Sequence, residues 1–132
     1  MKYLILIHSN PKPWAHPTSR FTDEGRALSV AEHEEGDKRF DVLLGELSAN
    51  GELVTAEALA DPASATVYRW RSGDSLASEG PYAETQEHLA GFFLIDCATR
   101  DEAVAIAQAC PAAEWATIEV REVAPCYHGA ES

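Results

Sequence analysis

Between two runs that read as strands, Gly80-Pro81 imposes a stop that no regular element can cross. Glycine reaches φ values closed to other residues, while proline fixes φ and removes an amide donor. Upstream, Thr66-Val67-Tyr68-Arg69-Trp70 has the composition of a strand, and Arg71-Ser72-Gly73-Asp74 reverses it into Ser75 to Ser78, the pattern of a hairpin arm. Downstream, Gly91 to Cys97 is the most hydrophobic strand signal of the chain and is expected at the centre of a sheet. The connection between them carries Tyr82, Glu84, Thr85, Gln86, Glu87 and His88. So dense a polar loop between two strands is a place where function sits on a rigid scaffold.

The remaining chain supplies the partners of these strands. Residues 2–8 form an apolar run without alternation, read as a buried strand that ends at Ser9-Asn10-Pro11. Pro11, Pro13 and Pro17 keep the next stretch irregular, with Trp14 and His16 inside it as a lid over the core or the rim of a cleft. Thr22 with Asp23 and Glu24 opens a helical region expected in two pieces, 23–35 and 37–49, interrupted at Gly36. Phe40, Leu43, Leu44 and Leu47 form its buried stripe, and Asn50-Gly51 ends it. A second strand spans Glu52 to Leu59. Thr99 and Glu102 make a capping box that starts a helix carrying Ala103, Val104, Ile106, Ala107 and Cys110 inward as far as Pro111. Trp115 to Val123 is the last strand, leaving residues 125–132 as a tail to a single domain of residues 1–124. Two helix-linked strand pairs around a hairpin define an α+β sandwich of ferredoxin-like character, with an antiparallel sheet and both helices on one face. The other face is left apolar and requires a partner, which predicts a homodimer.

Composition removes several function classes. Ten basic residues against 22 acidic ones give a formal charge of −12, which opposes nucleic acid and anionic membranes alike. The first apolar run, Tyr3 to Ile7, is too short for a membrane span or signal segment, so a cytoplasmic protein is expected. Cys97, Cys110 and Cys126 lack metal spacing and read as reduced, buried thiols. There is no glycine-rich phosphate loop, CxxC or HExxH, and His33-Glu34 would need ligands from elsewhere to hold a metal. No metal and no cofactor are expected.

Glu79 to Glu87, EGPYAETQE, resembles the DGPFAETKE signature of the DGPF branch of the YCII-related family. Met1 to Ile7 is similar to that family's first strand, Gly51-Glu52-Leu53-Val54 through Glu57-Ala58-Leu59 to its G-x-L-V-x-x-E-x-L segment, and Ile118 to Val123 to its closing strand. The resemblance implies the same sandwich, pairing sheet to sheet as a dimeric α+β barrel. Gln86 departs from the usual lysine and removes a positive charge from the loop. A His–Asp pair is proposed as active in the broader family, and the position matching that histidine is Phe40 here, so the pair does not carry over.

Candidate chemistry therefore rests on other residues. His8, at the end of the first strand, can take or give a proton near neutral pH, or can simply bond a backbone carbonyl. Glu84 and Glu87 lie close enough in sequence to raise one another's pKa and act as acid or orienting group. Alternatively they pin the loop through backbone amides, and of the two Glu87 is expected in the cleft and Glu84 in the structural role. Tyr82, His88 and Trp14 are candidate substrate-binding residues, and Glu79, Gly80 and Pro81 order the turn. The leading expectation is a small-molecule cleft beside this loop with cofactor-independent acid/base chemistry, such as isomerisation, cyclisation or elimination. Its rivals are a non-catalytic module bound to an alternative sigma factor, which the resemblance implies, and a cofactor-free monooxygenase.

Overall fold

β1 (Lys2–Ser9) runs inside a four-stranded antiparallel sheet, between β5 (His88–Asp96) and β6 (Thr117–Glu122), with β2 (Leu53–Ala58) on the far side of β5. The computed structural model describes residues 1–71, 73–81 and 86–125. Before the sheet order β2-β5-β1-β6 is complete, the chain forms a separate two-stranded hairpin, β3 (Thr66–Arg71) and β4 (Asp74–Glu79). With α1 (Asp23–Arg26), α2 (Val30–Ala49) and α3 (Arg100–Ala109), this is the ferredoxin-like α+β arrangement expected from the sequence.

Burial along β1 alternates, which corrects the expectation of a uniformly buried strand. Tyr3, Ile5, Ile7 and Ser9 are buried, whereas Leu4, Leu6 and His8 are only half-buried. A strand presents successive side chains to opposite faces, and the helices cover only one of them. On the covered face Tyr3, Ile5 and Ile7 join Phe93 and Ile95 of β5, Leu47 of α2, and Ala103 and Ala107 of α3 in one core. The register pairs Leu4 with Leu94 and Leu6 with Phe92, so these four apolar residues share the open face.

The helical region also departs from expectation. Gly36 does not interrupt it: α2 runs unbroken from Val30 to Ala49, and the break falls instead at residues 27–29. Ser29 and Glu32 form a reciprocal capping box there, a stronger start signal than an interior glycine is a stop. The box expected at Thr99 is only half made. Thr99 accepts from the Glu102 amide, but the Glu102 carboxylate reaches the Ala98 amide, one residue before the cap. Trp115 belongs to no strand, because it closes the turn Pro111–Glu114, and β6 begins at Thr117.

Short α1 matters through Gly25. A Cβ there would lie 1.7 Å from the Ser19 carbonyl oxygen, so only glycine lets this turn seat against Thr18–Arg20. That seating, with the Thr22 hydroxyl capping the Gly25 amide, fixes the backbone that carries Arg20. No helix among the described residues is long and apolar enough to cross a membrane.

Candidate functional site

The covered face is not filled along its whole length. In α2, His33, Gly36, Asp37, Phe40 and Leu44 recur at helical spacing on one stripe, and the stripe changes from apolar to polar toward the helix N-terminus. Phe40 packs edge-on against Phe93 with ring centroids 5.5 Å apart, and beyond it the facing surfaces are all small. Gly36 stands opposite Ala56, Ala58, Ala90 and Gly91, and the space between helix and sheet is a cavity of about 530 Å³. Gly91 cannot be larger, since a Cβ would come 2.9 Å from the Glu57 carbonyl oxygen of the neighbouring strand. The segment 16–20 closes one end and Trp115 borders another.

Arg20 organises the polar edge. Its Nη2 lies 2.8 Å from Asp37, and its Nη1 donates to Ser19 Oγ at 3.0 Å and meets His33 Nδ1 at 3.2 Å. A guanidinium has only donors, so His33 Nδ1 must accept. The imidazole is therefore neutral in this arrangement and carries its proton on Nε2. Across the cavity, Arg39 ties α2 to the Pro111–Glu114 turn through Glu114 at 2.7 Å. Among the described residues no cluster of three His, Cys, Asp or Glu groups could hold a metal ion.

The residues singled out from the sequence fall in three places. His8 points to the open face, because its neighbour Ile7 lines the cavity on the other side. Its Nε2 lies 2.9 Å from Glu119 Oε1, so its partner is a carboxylate and not a backbone carbonyl. Arg121 Nε donates to the other oxygen of Glu119 at 3.1 Å. The hydrogen bonds from His8 and Arg121, in that order, hold the Glu119 carboxyl below the usual carboxylate range. Glu87 reaches the same end of the sheet, where the Thr117 hydroxyl donates to it at 2.7 Å. Thr117 pairs with His8 in the register, so the loop's carboxylate and the strand-end histidine are brought together.

Trp14, Pro81 and His88 meet instead around a shallow groove of about 370 Å³, with Asn10 and Asp61. The Trp14 indole N–H donates to the Leu59 carbonyl at 3.1 Å, and His16 Nε2 reaches the same oxygen at 2.7 Å. Gly80 adopts φ 93° and its amide donates to the Ala65 carbonyl at 2.6 Å, which anchors the turn expected of Glu79, Gly80 and Pro81. Tyr82 and Glu84 lie outside the described residues, as does Cys126. Cys97 and Cys110 are buried free thiols, and burial pushes both up from the ordinary thiol range.

Sequence reasoning missed Arg20, Glu119, Arg121 and Thr117. An alternating strand Thr117, Glu119, Arg121 opposite His8, Leu6 and Leu4 was there to be read once the pairing of the first and last strands was assumed. Nothing in the sequence joined Arg20 to His33, since their meeting depends on how α1 docks.

An antiparallel sheet ordered in this way, with both helices on one face, defines the class as a ferredoxin-like α+β protein with a helix–sheet cavity. The YCII-related domain matches residues 1–126, and the chain belongs to that family. It is also similar to an uncharacterized protein of Rhizobium meliloti (strain 1021), with 41% identity over 58 residues, 44% of this chain and 47% of that relative. The match thus spans about half the length of the relative.

Proposed function

We propose that this protein binds a small organic molecule in the cavity beneath α2 and carries out cofactor-independent proton transfer on it, of the isomerisation, cyclisation or elimination type. The observation that carries this reading is the cavity of about 530 Å³ with a neutral imidazole of assigned tautomer at its edge. Ligand sites are typically concave and mostly apolar, with a few fixed polar groups, and roughly 300–1,000 Å³ in volume. His33 offers Nε2–H to a ligand oxygen, the role in which a neutral imidazole polarises a carbonyl. Asp41 and Glu114 border the same cavity and supply carboxylates that can take up the proton.

The test is to fill the space. Gly36 lines the cavity, and the nearest atom to a Cβ there is the Arg39 guanidinium at 4.0 Å. The wild-type chain should be stabilised by small organic ligands in thermal-shift screening, and Gly36→Leu should fold and lose that stabilisation. Equal ligand stabilisation in the two proteins would contradict the reading.

A second reading rests on the His8–Glu119 contact. It assigns the proton transfer to His8 on the open face, oriented by Glu119 and flanked by Glu87, beside the loop that resembles the family signature. Turnover lost in His8→Gln but kept in Gly36→Leu would favour this second site. We also propose that a second copy of the chain packs on this face. Leu4, Leu6, Phe92 and Leu94 give it an apolar centre, and Tyr68 and Trp70, 69% and 74% exposed on the hairpin, offer further apolar surface.

A further inference from the structure

The charges around the cavity have a sign. The carboxylates of Glu32, Asp37, Asp41 and Glu114 border it, against Arg20 as the single bordering guanidinium among the described residues, while Glu57 contributes backbone from a position whose side chain shares the open face with Phe92. Arg20 is already matched by Asp37, and Arg39 approaches from outside to match Glu114. Four carboxylates against two guanidiniums leave an excess of two negative charges. Glu32 is engaged in the capping box of α2, whereas Asp41 makes no hydrogen bond or ion pair among the described residues. Deeper in, Leu28, Phe40, Leu44, Phe93 and Trp115 make the wall apolar.

We propose, on the basis that this cavity is the ligand site, that it selects a small organic cation: an amine with an apolar, ring-sized body. An anion would be repelled by the rim and would lose its hydration on entry. A neutral molecule gains the apolar wall but no charge pair with Asp41. A cation with an apolar body gains both, the ring against Phe40 and Phe93 and the ammonium against Asp41 at the mouth. The carboxylates also concentrate such cations from solution, an effect that added salt screens.

The experiment holds the body constant and changes the head. Binding of 2-phenylethylamine, 2-phenylethanol and phenylacetate to the full chain is measured by calorimetry and by the methyl spectrum of labelled leucine, at low and high salt. The amine should bind tightest, by up to about fivefold over the alcohol, because an exposed charge pair contributes on that scale. The acid should bind weakest, and high salt should weaken only the amine. Asp41→Asn should remove most of the amine's advantage and leave the alcohol's affinity unchanged. An alcohol or acid that binds as tightly as the amine overturns the cation assignment while the cavity stands as a site. Failure of all three to bind at millimolar concentration overturns the cavity reading with it.

Discussion

Arg20 Nη1 lies 3.2 Å from His33 Nδ1, and this one contact decides which nitrogen of the histidine can address a ligand. The guanidinium only donates, so the lone pair at Nδ1 is spent and Nε2 keeps the hydrogen. Arg20 is itself held by Asp37 and by the Ser19 hydroxyl, on a turn seated against Gly25. The cavity edge is thus set by a short, locally improbable stretch of backbone outside the sheet. Its volume has a separate origin, in the small residues that α2, β2 and β5 present to one another.

Two glycines of α2 separate stability from binding. A Cβ added at Gly45 would meet nothing within 4 Å, and Gly45 does not border the cavity, while Gly36 does. Replacing an unneeded helical glycine lowers the entropy lost on folding, so Gly45→Ala should stabilise by about 0.5–1 kcal/mol in urea unfolding with ligand binding intact. Gly36→Leu should be at least as stable as wild type and should not bind. A Gly36→Leu protein that unfolds more readily than wild type would mean the space is already filled.

Ser9 offers a test of the core. It is fully buried at the end of β1, and its hydroxyl has no hydrogen-bond partner among the described residues. A buried, unmatched hydroxyl costs about 1–3 kcal/mol of desolvation. Ser9→Ala should therefore be neutral or stabilising by about 1 kcal/mol, read from the urea midpoint. A clear loss of stability would show that the hydroxyl is satisfied in solution.

Glu119 predicts an acid limb. Its folded pKa is depressed by the His8 and Arg121 hydrogen bonds, so the unfolded chain binds its proton first as pH falls. The contribution is fully present above the ordinary carboxylate value of about 4.3 and is lost as pH drops through the lower folded value. Glu119→Gln should lower stability at neutral pH, match wild type in strong acid, and flatten the slope between. An unchanged slope would remove Glu119 from the network.

The open face predicts association. If a second copy covers Leu4, Leu6, Phe92 and Leu94, light scattering at micromolar concentration should give twice the 14.3 kDa chain mass. Leu6→Glu should shift the mass toward the monomer without unfolding the chain, since Leu6 is only half-buried. A wild-type monomer would contradict the proposal.

Much of the fold was legible because its signals were local. Gly80-Pro81 and Asn50-Gly51 marked ends that the structure keeps, and Gly80 and Gly51 adopt the positive φ such ends call for. The central place of the Gly91 to Cys97 run also followed from its hydrophobicity, since β5 is indeed an inner strand. The faces were less legible. Tyr3 to Ile7 is apolar throughout, so its composition concealed that Ile7 meets the cavity while His8 turns to the opposite side. The cavity left no signal, because an empty space is a relation between Gly36 on a helix and Ala56 and Gly91 on two strands. Glu87 was expected in a cleft, and what the structure gives for it is local: its carboxylate accepts from the hydroxyl of Thr117, the residue that pairs with His8.

The most direct test asks which face of the sheet a ligand touches. Leu28 and Leu44 line the cavity, whereas Leu4, Leu6 and Leu94 lie on the open face. With leucine methyls labelled, titration with 2-phenylethylamine should move the Leu28 and Leu44 signals together, saturably, and leave Leu4, Leu6 and Leu94 in place. Saturable shifts confined to Leu4, Leu6 and Leu94 would put the ligand on the open face and contradict the account.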